Sequence, residues 1–375
     1  MPERGAPTTK IGDVSAARGL IVVGDAIKPA SSPVGSPALT SLPVTNSPVT
    51  SSHLTCPHVT RRRIPDFFIV GQAKSGTTAL YEMLLGHPAI FMPDLKEPEF
   101  FASDLRRRFQ PVMAGPLPDT LEEYLDLFTG AQPEQLVGEA SAFYLSSHAA
   151  ASSIVQHNPA ARIVAVFREP ASFLRSLHLQ HLQNHNEDQR DLRRALALEG
   201  KRRAGRSIPR RSYRPQILQY SDHVRYTEQL TRYHDVFPRE QVLVLIYDEL
   251  RADNVATVNR IFRFLGVDDS VPVASVQANP TVALRSQALD EAVHSLSVGR
   301  GPGSRWAKAV VKTLLPRPAR RRLLSTVQGR VVRSPAPLAD EELMRELREW
   351  LKPEVERLAA YLDRDLVSLW GYGDV

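Results

Sequence analysis

Hydrophobic positions along the chain change period several times, and the changes mark out alternating strands and helices. Asp66–Gly71 (DFFIVG) is a short apolar run that stops at a glycine, the pattern of a strand buried on both faces. Thr77–Leu85 then places Leu80, Leu84 and Leu85 at helical spacing. Leu121–Phe128 predicts a second amphipathic helix and Gln135–Gly138 a short strand. Arg162–Phe167 (RIVAVF) is another buried strand, followed by a helix from Ser172 to about Asn184. Ser221–His234 reads as helix, with Val224, Leu230 and Tyr233 on its apolar side. Gln241–Tyr247 (QVLVLIY) is a third strong strand, and Asn254–Leu265 the helix after it. This alternation predicts an α/β fold, a mainly parallel sheet flanked by helices on both faces. The last 85 residues read as extra C-terminal helices, closing with a long amphipathic stretch from Asp340 to about Leu369.

Before Ile64 no such period exists. From Pro29 to Pro57 the chain runs through Ser, Pro, Thr and Val, with too little large apolar surface to offset the entropy of ordering. The expectation is a disordered Ser/Pro/Thr-rich tail over residues 1–63 and one folded domain over 64–375.

Composition narrows the class. At 375 residues, 42% hydrophobic and 23% charged, the chain is neither collagen-like, wholly disordered nor membrane-embedded. The single cysteine, Cys56, excludes a disulfide scaffold and a cysteine-cluster metal site. Lys and Arg outnumber Asp and Glu by 47 to 41, and only eight of the cations are lysines. Guanidinium groups match phosphate and carboxylate oxygens with paired hydrogen bonds, so anionic partners fit. The apolar run Gly19–Gly24 is shorter than a signal-peptide core, and no stretch approaches the roughly 18 apolar residues of a membrane span. A cytoplasmic location is expected.

The most informative segment is Phe67–Thr78, FFIVGQAKSGTT. Strand, glycine loop and helix start, in that order, converge backbone N–H groups and a helix N-terminus on one point, an anion cradle. Gly71 and Gly76 are spaced as in the Walker pattern, but Thr77 stands where the Walker lysine belongs and Lys74 lies inside the loop. Phosphoryl-transfer enzymes with such loops also hold Mg²⁺ through an Asp at a strand's end. Here RIVAVF runs into Arg168, which suits a second anion. Asp248, after QVLVLIY, keeps a P-loop nucleotide kinase as the alternative; a helix cap or surface carboxylate is its plainer reading. The basic run from Arg190 to Arg214, with ten Lys and Arg, keeps a nucleic-acid-binding protein as the non-enzyme alternative. Lacking interleaved aromatics beyond Tyr213, it reads as a solvated basic helix and loop, so no nucleic-acid partner is expected.

The loop resembles the 5′-phosphosulfate-binding loop of sulfotransferases that use 3′-phosphoadenosine 5′-phosphosulfate (PAPS). REPASFLRS, Arg168–Ser176, is similar to that family's 3′-phosphate motif, an Arg after a strand and a Ser within the next helix. LKEPEFF (Leu95–Phe101), YSDHV from Tyr220, QVLVLIYDEL and RIFRFLGV are similar too, so the resemblance covers about residues 64–290. It implies a P-loop-like fold and metal-free transfer of a sulfuryl group from PAPS to a hydroxyl of a carbohydrate, glycolipid or secondary-metabolite acceptor. By the same resemblance, Lys74 meets the charge that grows on the bridging oxygen. Ser75, Gly76, Thr77, Thr78 and Ala79 hold the 5′-phosphosulfate, and Arg168 and Ser176 the 3′-phosphate. Arg285 matches a late basic loop over the phosphates, while Lys96 and Glu97 border the acceptor. Glu139, in VGEAS, is the expected general base, facing a cleft from a strand's end; His87 is the rival, read as a helix C-terminal cap. His178, His181 and His185 share a helix at metal-ligand spacing and are read as a hydrated face, so no metal site is expected.

Overall fold

The computed structural model describes residues 62–105, 117–273 and 339–375, together with the backbone of Val282–Leu284 and Arg333–Pro335. Residues 1–61 of the expected tail and Arg285 lie outside these residues, while Arg62 and Arg63, expected in the tail, pair with Asp126 and Asp66. Five strands form one parallel sheet: β1 (Phe67–Gly71), β2 (Ile90–Phe91), β3 (Leu136–Ala140), β4 (Arg162–Phe167) and β5 (Val242–Ile246). Their order is β2-β3-β1-β4-β5. The chain leaves β1 toward β2 on one side and leaves β4 toward β5 on the other. The crevice between β1 and β4 is therefore the sheet's topological switch point, where open α/β sheets bind ligands.

The helices are α1 (Thr77–Leu85), α2 (Leu121–Asp126), α3 (Ala150–His157), α4 (Pro170–Gln183), α5 (Leu192–Ala197), α6 (Glu199–Arg203), α7 (Tyr220–His223), α8 (Tyr226–His234), α9 (Tyr247–Ala252), α10 (Asn254–Leu265), α11 (Glu341–Leu362) and α12 (Leu366–Leu369). No helix among the described residues is long and apolar enough to cross a membrane.

Side-chain alternation along β1 builds two cores. Phe68 and Val70 enter one, closed by α4, α8 and α11 through Phe173, Leu177, Tyr226, Leu230, Leu347 and Val355. Phe67 and Ile69 enter the other, with Leu80 and Leu84 of α1 and Ile261 and Phe262 of α10. All four β1 side chains are fully buried. Each contributes about 1.5–3 kcal/mol of transfer free energy, enough to hold the loop after β1 on a rigid base.

Local chemistry sets the helix starts. Thr120 and Glu123 make a reciprocal capping box on α2, and Asp253 and Asp340 cap α10 and α11. Glu169 caps α4 by accepting from the amides of Ala171 and Ser172 at 3.1 and 2.7 Å, with Pro170 in the first turn. The 221–234 stretch divides into α7 and α8, and the closing stretch breaks at Asp363, which takes a φ of 51°.

Candidate functional site

The loop from Gly71 to Gly76 joins β1 to α1. Gly76, at φ 84°, takes the N-cap position of α1 without any side-chain cap, so amides of the first turn remain open to a ligand. At this positive φ a side chain is strained, and a Cβ on Gly76 would stand 2.7 Å from Leu250 Cδ2, so the Leu250 side chain of α9 would have to shift. Lys74 sits at φ 62°, and its carbonyl accepts from Arg168 Nη1 at 2.9 Å. Arg168 Nε donates to Ser172 Oγ at 3.1 Å, and its guanidinium carbon lies 4.8 Å from the centre of the Tyr247 ring. The arginine after β4 is thus docked on the loop after β1.

These groups surround one cleft at the carboxyl edge of the sheet. Its walls are Ala73, Lys74, Gly76, Thr77, Thr78 and Ala79 from the loop and α1, with Arg168, Ser176 and Gln180, and with Glu97, Phe143 and Tyr247. Ser176 and Gln180 stand one turn apart on α4. The Ser176 hydroxyl is buried and has no hydrogen-bond partner. A buried, unsatisfied hydroxyl in the wall of a cationic cleft is a site waiting for an acceptor, and an anion's oxygens supply one. Ser75 lies beneath the loop, fully buried, with its hydroxyl 3.5 Å from the Ala73 carbonyl.

Glu139 is placed differently from its expectation. It pairs in register with Phe68, so strand alternation turns its side chain into the core rather than toward the cleft. It is 0% exposed, and Oε2 accepts from the hydroxyls of Tyr124 and Tyr144 at 2.7 and 2.9 Å. Burial pushes its carboxyl up to about 7, against the hydroxyls of Ser141, Tyr124 and Tyr144, which pull it down. The carboxylate in the cleft wall is Glu97, with Lys96 Nζ 2.6 Å from its Oε1. Glu97 takes a φ of 60°.

Other expectations change as well. His178 and His181 are buried against Tyr220, not hydrated. Burial lowers both imidazoles, so each is a neutral core residue. Among the described residues no group of three or more His, Cys, Asp or Glu is placed to hold a metal ion. Within the basic run, Arg202 and Arg214 are buried rather than solvated, paired with Glu187 and Glu99. Asp248 accepts from Trp370 Nε1 at 3.0 Å and is absent from the cleft wall. His87 is buried too, its Nδ1 accepting from the Ala89 amide at 3.1 Å and its Nε2 facing the Asp268 carbonyl at 2.9 Å.

The sequence matches the family described as Sulfotransferase domain over residues 64–291. The chain belongs to that family. It is 27% identical over 214 residues to human bifunctional heparan sulfate N-deacetylase/N-sulfotransferase 3, covering 55% of this chain and 22% of that protein. It is also 27% identical over 253 residues to mouse carbohydrate sulfotransferase 15, covering 55% and 44% respectively. The matched part thus spans less than half the length of these relatives. The crystal structure of a sulfotransferase from Alicyclobacillus acidocaldarius shares the fold, with TM-score 0.56 and 27% identity over 82% of this chain and 99% of that one.

Proposed function

We propose that this chain transfers a sulfuryl group from PAPS to a hydroxyl of a small-molecule or carbohydrate acceptor, with no part for a metal ion. The observation that carries the reading is the unpartnered, buried Ser176 hydroxyl in the same cleft wall as Lys74 and Arg168. PAPS would supply the activated sulfuryl group. Arg168 and Ser176 would hold its 3′-phosphate, and the open amides and hydroxyls of Gly76–Ala79 its 5′-phosphosulfate, over Ser75. Lys74 would offset negative charge on the leaving oxygen, an interaction strongest in the transition state.

The acceptor hydroxyl must lose its proton. Glu97 is assigned that task here, because it lines the cleft, while Glu139 is sealed beneath two tyrosines. A base must come within hydrogen-bond reach of the proton it takes. Lys96 Nζ lies 2.6 Å from Glu97 Oε1, and by the family resemblance the two residues would border the acceptor. A sugar, a glycolipid and a hydroxylated metabolite all meet the same chemical requirement, one accessible hydroxyl.

The test is incubation with isotope-labelled PAPS and an acceptor panel, reading label transfer by mass spectrometry. Label should reach an acceptor without added metal. Glu97→Gln should lower kcat by about 10²–10⁴, as loss of a general base does. If Glu139→Gln carries the larger loss, Glu139 is the base. If no PAPS is consumed with any acceptor, the reading fails.

A further inference from the structure

The basic stretch 190–214 ends on a residue that reaches the cleft indirectly. Arg214 is buried, and its guanidinium forks onto both oxygens of Glu99, with Nη1 3.0 Å from Oε1 and Nη2 bonded to Oε2. Glu99 belongs to the loop that carries Glu97. Alternate amides of that loop are held from the β3 side. The Glu97 amide donates to the Ala140 carbonyl at 3.1 Å, the Glu99 amide to Ser141 Oγ at 3.0 Å, and the Phe101 amide to Tyr144 Oη at 3.1 Å. Arg214 holds the same loop through its side chain and also lies over the Phe143 ring, its guanidinium carbon 5.3 Å from the ring centre. Phe143 is itself part of the cleft wall.

Glu97 and Glu99 both take left-handed backbone angles, φ 60° and 56°. Residues with a Cβ hold that conformation only where their surroundings impose it. We infer that Arg214 is a positioning residue: its ion pair with Glu99 imposes the loop geometry that sets Glu97 in the cleft. This rests on the assignment of the cleft as the sulfuryl-transfer site. A second buried pair, Arg202 with Glu187, has the same chemistry, both side chains 0% exposed. It bonds instead to Tyr220 and to the Ala195 and Ser207 carbonyls, and serves as an internal control.

Removing one partner of a buried pair leaves a lone buried charge, whereas replacing both often costs little. The test therefore compares two double variants, Glu99→Gln with Arg214→Met and Glu187→Gln with Arg202→Met, alongside Arg214→Lys. Three properties are measured: kcat and KM for transfer from PAPS, calorimetric affinity for 3′,5′-bisphosphoadenosine, and hydrogen exchange across 97–101 at the amides of Glu97, Glu99, Phe100 and Phe101, Pro98 having none. In the Glu99/Arg214 double variant kcat should fall about thirtyfold or more, as displacement of a reacting group does, with bisphosphoadenosine affinity within about threefold of wild type. Its 97–101 amides should exchange faster, on the order of tenfold. Arg214→Lys keeps the charge without the fork and should recover part of kcat. The Glu187/Arg202 double variant should keep wild-type kcat and wild-type exchange at 97–101.

Wild-type kcat in the Glu99/Arg214 double variant would overturn the inference, as would an equal loss in the Glu187/Arg202 variant. If either double variant does not fold, Arg214→Lys decides by the same comparison: wild-type kcat and exchange overturn the inference, and a reduced kcat with faster exchange supports it. Should the wild-type chain neither bind bisphosphoadenosine nor transfer sulfuryl, the assigned reaction fails. Exchange at 97–101 then still decides whether Arg214 holds the loop.

Discussion

Arg168 Nη1 donates to the backbone carbonyl of Lys74 across 2.9 Å, so the cation that follows β4 is tied to the loop that follows β1. The two strands are neighbours in the sheet. One hydrogen bond therefore joins the two candidate anion-binding segments, and the Tyr247 ring beneath the guanidinium limits where it can swing. Arg168→Ala should weaken 3′,5′-bisphosphoadenosine binding by about 10- to 100-fold, the range for a hydrogen bond to a charged group. Arg168→Lys should recover only part of that, because an ammonium cannot serve Lys74, Ser172 and a phosphate together. Calorimetric titration of the three proteins checks both statements.

Ser176 offers a sharper contrast, because its hydroxyl is buried without a partner. Removing an unsatisfied buried polar atom relieves a desolvation cost, so Ser176→Ala should keep or slightly raise Tm in the free protein. The same change should weaken bisphosphoadenosine affinity by about 10- to 100-fold, the range for a hydrogen bond to a charged group. A lower Tm with unchanged affinity would show that the hydroxyl is structural.

How much of this was legible in the sequence depends on the range of the forces involved. β1, β4 and β5 are apolar runs whose burial is written in their own residues, and α10 spans Asn254–Leu265 in the structure as its apolar period predicts. β2, two residues long, was not legible, because only its pairing with β3 makes it a strand. Lys74, Gly76–Ala79, Arg168 and Ser176 converge as the motifs imply, since each lies within a turn or two of a sheet strand. Glu139 misled, because its face depends on register with Phe68, which spacing alone does not reveal. Glu97 was assigned only an acceptor-side place, and its position in the cleft wall depends on contacts with Ala140 and, through Glu99, Arg214, distant in sequence. Arg202 and Arg214 looked like surface charge for the same reason: their partners lie 15 and 115 residues away.

Glu139 carries a pH signature. Its carboxyl is raised by burial from 4.5 to about 7 in the folded chain, so between those values the folded state holds the proton that the unfolded state has released. Its contribution is full below about pH 4.5 and is lost as pH rises through about 7, a change on the order of 3 kcal/mol. Glu139→Gln cannot ionise and lacks this dependence. Denaturant titrations of both proteins from pH 5 to 8 should show wild type losing stability relative to the variant as pH rises. Parallel curves would place the carboxyl's titration elsewhere.

Gly76→Ala should destabilise by about 1–3 kcal/mol, combining backbone strain at φ 84° with a Cβ 2.7 Å from Leu250 Cδ2. Because Gly76 is also the N-cap of α1, bisphosphoadenosine affinity should fall in the fraction that remains folded. Thermal melts with and without the nucleotide separate the two effects.

The central claim is a metal-free site for a nucleotide bearing separate 3′ and 5′ anions, and calorimetric titration tests it most directly. Wild-type protein should bind 3′,5′-bisphosphoadenosine more tightly than ATP, equally with EDTA or Mg²⁺, and Arg168→Ala should lose most of that preference. Tighter binding of ATP that requires Mg²⁺ would contradict the account.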